Sequence, residues 1–485
     1  MSRATFFKNS DLFRGFLKNP LWIFARAQDI SRHLKRFIPS AFFLSVLCFP
    51  IASSAGDYFQ AKQVDGRWWL IAPDGSRFIS KGVTTVQFSQ DRILNTEVSP
   101  YGDTNKAKYG TAEAWRTAVA GRLLDWSFNT LGAWSDAKVS SAAKNGRRLA
   151  YAPILNFGSA FVASRQNGNA WLKGVFPDVF DPNFKKSAME HAVKIVSPLK
   201  DDPWVLGWFT DNELRWGPDW RGSDELLTLF LSLPPGEPGK KAAVETVRKR
   251  YGDVAKFNDV WNTTFHSWEG LENAPAVKPP FVRKGMFAQN EETERRANEA
   301  DPKRAAYVAD CEAFLANLAE QYFRITSEAI KSADPHHMNF GCRFAYVPPK
   351  PVIAAAAKYL DVISFNCYAA DPRPVIKRYS AFGKPLIIGE FSFRGEDAGL
   401  PNTKGAGGKY QTQAERAAAF EKFVTLALAE PGLVGYHWFE HADEPKEGRF
   451  DGENSNYGLV DIKDEPYLEL TGTMARVNRN AEKLH

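Results

Sequence analysis

The stretch GWFTDNELRWG, Gly207–Gly217, starts as an apolar run and ends on Asp211, Asn212 and Glu213, with Trp216 close behind. Its first part reads as a buried strand. Three polar groups at such a strand's end either cap a loop or face a ligand, and the surrounding sequence decides between the two.

Working outward, apolar runs of strand length recur with helical stretches between them. FISKGVTTVQF (from Phe78), FNTLGAW (from Phe128), LAYAPILNF (from Leu149) and VLGWFTDNE (from Val205) are the first four. MNFGCRF (from Met338), DVISFNCY (from Asp361), PLIIGEFSF (from Pro385) and LVGYHWFEH (from Leu433) are the next four. Between them Trp115, Val119, Leu123 and Trp126 share one helical face, and further helices are expected over residues 182–199, 304–332 and 414–429. Near-continuous apolar strands alternating with helices predict a parallel sheet covered on both faces. Eight such units match a (β/α)8 TIM barrel. A doubly wound open sheet is the competing arrangement, but no glycine-rich phosphate loop follows any strand. About ninety residues, 214–303, separate the fourth strand from the next long helix and read as a large insertion over the barrel mouth.

The net charge of +6 resides in one segment. Residues 1–55 hold eight Lys or Arg and two acids, and the remaining 54 basic and 54 acidic residues cancel. A neutral body offers no electrostatic case for nucleic acid. RHLKRF, then FIPSAFFLSVLCFPI, then ASSAG has the basic, apolar and small-residue parts of a secretory signal, with cleavage near Ala55 and a secreted or periplasmic destination. The apolar part is short for a membrane span, so no stable membrane embedding is expected unless the leader is kept as an anchor. Residues 56–77 carry Asp-Gly turns between short strands, a small N-terminal β element, and residues 78–485 form the main domain. Beyond the leader, Cys311, Cys342 and Cys367 show no zinc spacing; they read as buried thiols, with a Cys342–Cys367 bridge conceivable.

In a barrel the C-terminal strand ends surround one cleft, and the seventh strand, IIGEF, ends on Glu390. Glu213 and Glu390 should therefore converge. Two facing carboxyls suit glycoside hydrolysis, in which one carboxyl protonates the glycosidic oxygen while the other stabilises or attacks the anomeric centre. Their environments must differ so that one is neutral and the other charged. The polar triplet reads as a site.

WFTDNELRWG, IIGEFSFRGEDAGLPNT and GYHWFEHADEPKEGRFDGENSNYGLV resemble the agarase-like branch of the clan A glycoside hydrolases, near the beta-galactosidase-like families, from about Phe78 to Tyr467. The resemblance implies Glu213 as acid/base, Glu390 as nucleophile and Asn212 as ligand of a sugar hydroxyl. It implies that Tyr368 orients the nucleophile and that Trp438 floors the adjoining subsite. It implies a retaining enzyme acting on a galactose-containing carbohydrate, with no cofactor and no metal.

Trp216, Trp220 and Arg394 are further candidate substrate contacts, and Glu453 or Asn454 could reach the cleft. Asp211 faces away from the pocket by strand alternation and reads as structural, as do His437 and the indole of Trp208. Glu440, His441, Asp443 and Glu444 read equally well as sugar ligands or as a salt-bridged loop; Glu396 and Asp397 stand at even odds. Two alternatives remain: the same chemistry on β-glucan or mannan, or with transglycosylation; and a non-catalytic carbohydrate-binding barrel.

Overall fold

The structure is a computed structural model in which residues 57–143, 146–165, 169–282 and 291–485 are described; the expected leader, residues 1–55, lies outside them. Three antiparallel strands come first: β1 (Gln60–Val64), β2 (Arg67–Ile71) and β3 (Arg77–Phe78). Asp65 and Gly66 join β1 to β2 with φ of 52° and 78°, the double positive-φ turn that matches the twist of a hairpin.

The eight apolar runs all contain strands. They are β4 (Ser80–Val83), β5 (Thr130–Leu131), β6 (Ala150–Tyr151), β7 (Gly207–Phe209), β8 (Met338–Gly341), β9 (Ile363–Asn366), β10 (Leu386–Phe391) and, after a short pair β11 (Arg394–Gly395) and β12 (Lys409–Tyr410), β13 (Leu433–Trp438). Six of them hydrogen-bond in the order β6-β5-β4-β13-β10-β9, and β7 pairs with β8. Every one of these pairings is parallel. Single backbone pairings also link Tyr151 to Val205, Ile154 to Phe209, and Phe344 to Phe365. This is an α/β fold built on parallel strands.

The helices run α1 (Pro100–Tyr109), α2 (Ala112–Asp125), α3 (Phe157–Ala163), α4 (Pro182–Ile195), α5 (Leu226–Leu231), α6 (Pro238–Tyr251), α7 (Val254–Trp261), α8 (Trp268–Glu272), α9 (Glu291–Ala300) and α10 (Pro302–Ala333). Then come α11 (Lys350–Tyr359), α12 (Arg373–Ser380), α13 (Gln413–Leu428), α14 (Leu468–Arg479) and α15 (Ala481–Leu484). The helix expected over 182–199 ends four residues early, at Ile195, because Pro198 has no N–H to continue it. Thr412 starts α13 by accepting the Glu415 N–H at 3.2 Å. Among the described residues no helix is long and apolar enough to cross a membrane.

Alternation along the strands divides the interior into two cores. In β10, Leu386 and Ile388 belong to the larger cluster with the helices, whereas Ile387 belongs to a smaller one with Phe209, Phe340 and Ala150. Leu70 of β2 and Phe59 share that smaller core, so the N-terminal sheet packs on it. His437 lies on the same side as Ile387: its Nε2 meets Ser80 Oγ at 2.8 Å, and its ring fills the space above Gly82. A β-carbon at Gly82 would come 2.2 Å from His437 Cδ2. Burial pushes the imidazole down to about 3. The structural role expected of His437 is the one it occupies.

The described part of the insertion reaches the cavity through Trp220 and is anchored on a long helix. Helices α5, α6 and α7 pack against α10, where Asp310 accepts from Trp261 Nε1 (2.8 Å), Tyr251 Oη (2.7 Å) and Arg250 Nε (2.6 Å), and α8 packs on α6. Among the described residues of 214–303, Trp220 alone lines the large cavity. A buried acid that can satisfy three donors at once fastens this segment onto the helix.

Candidate active site

Asn212 and Glu213 follow β7, Asn366 ends β9, Tyr368 lies just beyond it, and Glu390 is within β10. All five line one cavity of about 1170 Å³. That exceeds the roughly 300–1,000 Å³ of ordinary small-ligand pockets. The backbone makes the convergence possible at a cost: Glu213 takes φ 51°, a left-handed conformation unfavourable for a residue with a β-carbon. It is held there from both sides. Its N–H donates to Cys342 O (3.1 Å) and Arg343 O (3.2 Å), and its C=O accepts from Arg221 Nη2 at 2.9 Å.

The two carboxyls have opposite surroundings. Glu390 Oε2 accepts from Arg343 Nη2 at 2.7 Å, and its Oε1 accepts from the Tyr368 hydroxyl at 2.6 Å. Arg343 is wholly buried, stacked 4.5 Å from the Trp134 ring and 5.3 Å from Phe209. A guanidinium and a phenol thus both donate to one carboxylate, and the guanidinium supplies its counter-charge. Glu213, by contrast, receives one neutral donor, Asn366 Nδ2, on Oε1 at 2.9 Å. Burial, then the charge of Glu390, raises it to about 7, against smaller opposing effects from Asn366, Arg221 and Arg343. One carboxyl is therefore set to hold a proton near neutrality beside another paired with a cation.

Asp211 points away from the cavity, opposite Asn212 as expected, and the left-handed φ at Glu213 turns that side chain to the cavity as well. The Asp211 carboxylate accepts from Gly158 N (2.9 Å), Ser159 N (3.1 Å) and the Tyr322 hydroxyl (2.7 Å), fastening the first turn of α3. Burial raises it to about 6.

Three candidates stand behind the cavity wall. Trp438 is fully buried among Phe391, Phe393 and Phe420, and its Nε1 donates to Tyr457 O at 2.9 Å. With His437 turned toward Gly82, the next side chain must face the helices, and Phe439 lines the cavity instead. Trp216 is 1% exposed and stacks on Phe323 at 5.6 Å. Arg394 donates to Gly407 O (2.8 Å) and Lys404 O (3.2 Å), holding the loop before β12. Its guanidinium bonds main chain, which withdraws it from any ligand.

The acids after β13 also resolve. Glu444 pairs with Arg449 at 3.0 Å, Glu440 lies 3.9 Å from the same guanidinium, and Asp443 accepts from Asn456 Nδ2 at 2.8 Å and the Tyr467 hydroxyl at 2.5 Å. His441 meets the Tyr101 hydroxyl at 3.2 Å. Glu396 lies 3.8 Å from Lys409, and Asp397 accepts the Gln413 N–H at 2.9 Å. None of these six lines the cavity, whereas Glu453 does; Asn454 bonds Thr403. Trp208 is buried, its Nε1 donating to Asp334 at 2.8 Å. Cys342 and Cys367 are free and buried, so no bridge joins them. Trp220 lines the cavity.

Sequence reasoning missed Arg343, Asn366, Trp134 and Trp171. Asn366 had a visible signal, since it sits in FNCY two residues before Tyr368. Arg343 had none, because an arginine after an apolar run reads as a solvated strand end.

Comparison with known proteins finds relatives in sequence and in fold. The glycoside hydrolase family 42 model, described as beta-galactosidase, matches residues 178–381, a span that includes Glu213 and stops before Glu390. Beta-agarase B and beta-agarase A of Vibrio sp. (strain JT0107) are 27% and 29% identical, each alignment covering 88% of this chain. The chain spans about half the length of these two curated relatives, 48% and 46%. The crystal structure of an agarase, AgWH50C, superposes with a TM-score of 0.70 at 25% identity, covering 89% of this chain and 66% of that one. An exo-beta-agarase structure shares the fold at the same TM-score and 24% identity, with the same coverages. In sequence the chain is similar to the agarase-like and beta-galactosidase-like glycoside hydrolases, and in fold to the agarases.

Proposed function

We propose that this chain is a retaining β-glycosidase of galactose-containing poly- or oligosaccharides, with Glu390 as nucleophile and Glu213 as general acid and base. The observation that carries the reading is the unequal pair of carboxyls in one cavity: Glu213 raised to about 7, Glu390 bound by Arg343 and Tyr368. The names of the relatives, beta-agarases and a beta-galactosidase family, support the substrate class. The parallel strands, with the single pairings beside β7 and β8, support a (β/α)8 barrel as the scaffold.

In the first step a Glu390 oxygen attacks the anomeric carbon as the glycosidic C–O bond breaks, and Glu213 gives its proton to the departing oxygen. Arg343 and Tyr368 hold the attacking carboxylate in place. Forming the glycosyl ester removes the negative charge of Glu390, and with it the repulsion that raises Glu213. The pKa of Glu213 therefore falls, which keeps it in the carboxylate form that can take the proton of the attacking water. Water then attacks the same carbon, the ester bond breaks, and the β configuration is restored. Asn212 faces the cavity from beside Glu213 and is proposed to bind a sugar hydroxyl. The leader over residues 1–55 is proposed to direct export, which would bring the site to an extracellular polymer.

The test is product analysis on a panel of agarose, β-galactan, β-glucan and mannan, with the anomer first released read by proton NMR. A β anomer from a galactose-containing substrate is expected. An initial α anomer rejects retention, and cleavage of glucan or mannan alone rejects the substrate class.

A further inference from the structure

At the mouth of the cavity three aromatic side chains from three separate loops meet. Trp171 follows α3, Trp220 follows β7 and Phe450 follows β13; the Trp171 ring lies 6.4 Å from each of the other two. Trp220 is 56% exposed and Phe450 49%, two of the few large apolar side chains left open to solvent among the described residues. All three line the cavity that holds Glu213 and Glu390.

Guanidinium groups hold these rings in place. Arg221 lies 4.4 Å from the Trp220 ring and 5.5 Å from that of Trp171, and is itself fixed by Asp219 Oδ2 at 2.6 Å and by the Glu213 carbonyl at 2.9 Å. Arg449 lies 5.3 Å from Phe450 and is tied to Glu444, Asp451 and Glu453. An exposed aromatic ring braced by a buried cation loses little freedom when something stacks on it. Protein surfaces that bind other proteins need on the order of 1,000 Å². Three rings opening into a catalytic cleft fit a smaller flat ligand, continuous with whatever lies between the carboxyls.

Resting on the hydrolase reading above, we infer that Trp171, Trp220 and Phe450 form a chain-binding subsite for pyranose rings beyond the one being cleaved. The cavity behind the rings is lined by polar groups of both kinds, the carboxyls of Asp91, Glu213, Glu390 and Glu453 and the guanidiniums of Arg378 and Arg449. A pyranose presents its C–H face to the rings and its hydroxyls to these groups. The lip thus selects for length.

Calorimetry on protein carrying Glu390→Gln tests this, using a neutral agarose-derived disaccharide and hexasaccharide as probes. Adding Trp220→Ala should lower the hexasaccharide-to-disaccharide affinity ratio on the order of tenfold, the loss expected when one aromatic face is no longer covered. Phe450→Ala should lower the same ratio, which guards against a folding defect in the first variant. An unchanged ratio in both overturns the inference, as does absence of hexasaccharide binding to the Glu390→Gln protein. Turnover of the hexasaccharide by the unmodified protein separates the two readings. Binding without cleavage rejects the hydrolase and leaves the lip in place; cleavage with an unchanged ratio rejects the lip alone.

Discussion

Asn366 is the register partner of Glu390 across β9 and β10, and its side-chain amide donates to Glu213 Oε1 at 2.9 Å. One strand-end residue thus ties the two carboxyls to a common frame. The donation favours charged Glu213 and holds its pKa below what burial alone would give. In Asn366→Ala that restraint is gone, so the alkaline limb of the kcat/KM profile should move to higher pH while kcat falls. A limb that stays put or moves down contradicts the assignment.

Glu213 must carry its proton to act as the acid, and it is raised to about 7. Activity should therefore decline as pH rises past about 7 in the unmodified protein. Glu213→Gln should lower kcat/KM on oligosaccharides by roughly 10²–10⁴, the usual contribution of a positioned acid. On aryl glycosides with good leaving groups, added azide should restore turnover and yield a β-glycosyl azide. An azide product of inverted configuration would exclude a glycosyl-enzyme at Glu390.

Arg343 is the cation bound to a carboxylate that is itself only 6% exposed. Removing one partner of a buried pair strands the other, at about 3–5 kcal/mol. Arg343→Met should cost that much in urea unfolding and abolish activity. Arg343→Lys should rescue neither, because an ammonium cannot both stack flat between Trp134 and Phe209 and bridge Gly389 O to Glu390.

Trp438 is packed among phenylalanines, so its loss is a loss of core. Trp438→Ala should destabilise the protein by about 3–5 kcal/mol. A variant of full stability whose KM alone has risen would return Trp438 to the cleft.

Asp211 is raised to about 6 by burial, above the roughly 3.9 of an unfolded aspartate. A raised carboxyl binds its proton more tightly when folded, so its contribution to stability is complete below about pH 4 and is lost as pH climbs through 6. In Asp211→Asn that part of the stability profile should flatten between pH 4 and 6. Denaturant midpoints across the range measure it; an unaltered slope counts against the shift.

The polymer of strands and helices was legible because its signal is local. Four to nine apolar residues in a run, bounded by turns, read as β4 to β10 and β13 whatever lies beside them. Glu213 and Glu390 were legible for a related reason: a carboxyl ending an apolar strand conflicts with burial unless something needs it there. Direction was harder. Asp211 and His437 face away from the cavity as expected, but the subsite role that the resemblance implied for Trp438 does not fit its place in the core, because the phase of β13 depends on which of His437 and Trp438 takes the space over Gly82. Gly82, which leaves room for one imidazole and no more, settles that from another strand 355 positions away.

By itself the sequence determined the order of the main strands and helices, and which two carboxyls lie at or just beyond apolar strands, since propensity, periodicity and burial act over a few residues. The tertiary structure alone decided that Arg343 serves Glu390, that Asn366 serves Glu213, and that Trp171, Trp220 and Phe450 share a rim. Those are contacts between distant segments, and their energies depend on distance, desolvation and angle, none of which exists until the chain has folded.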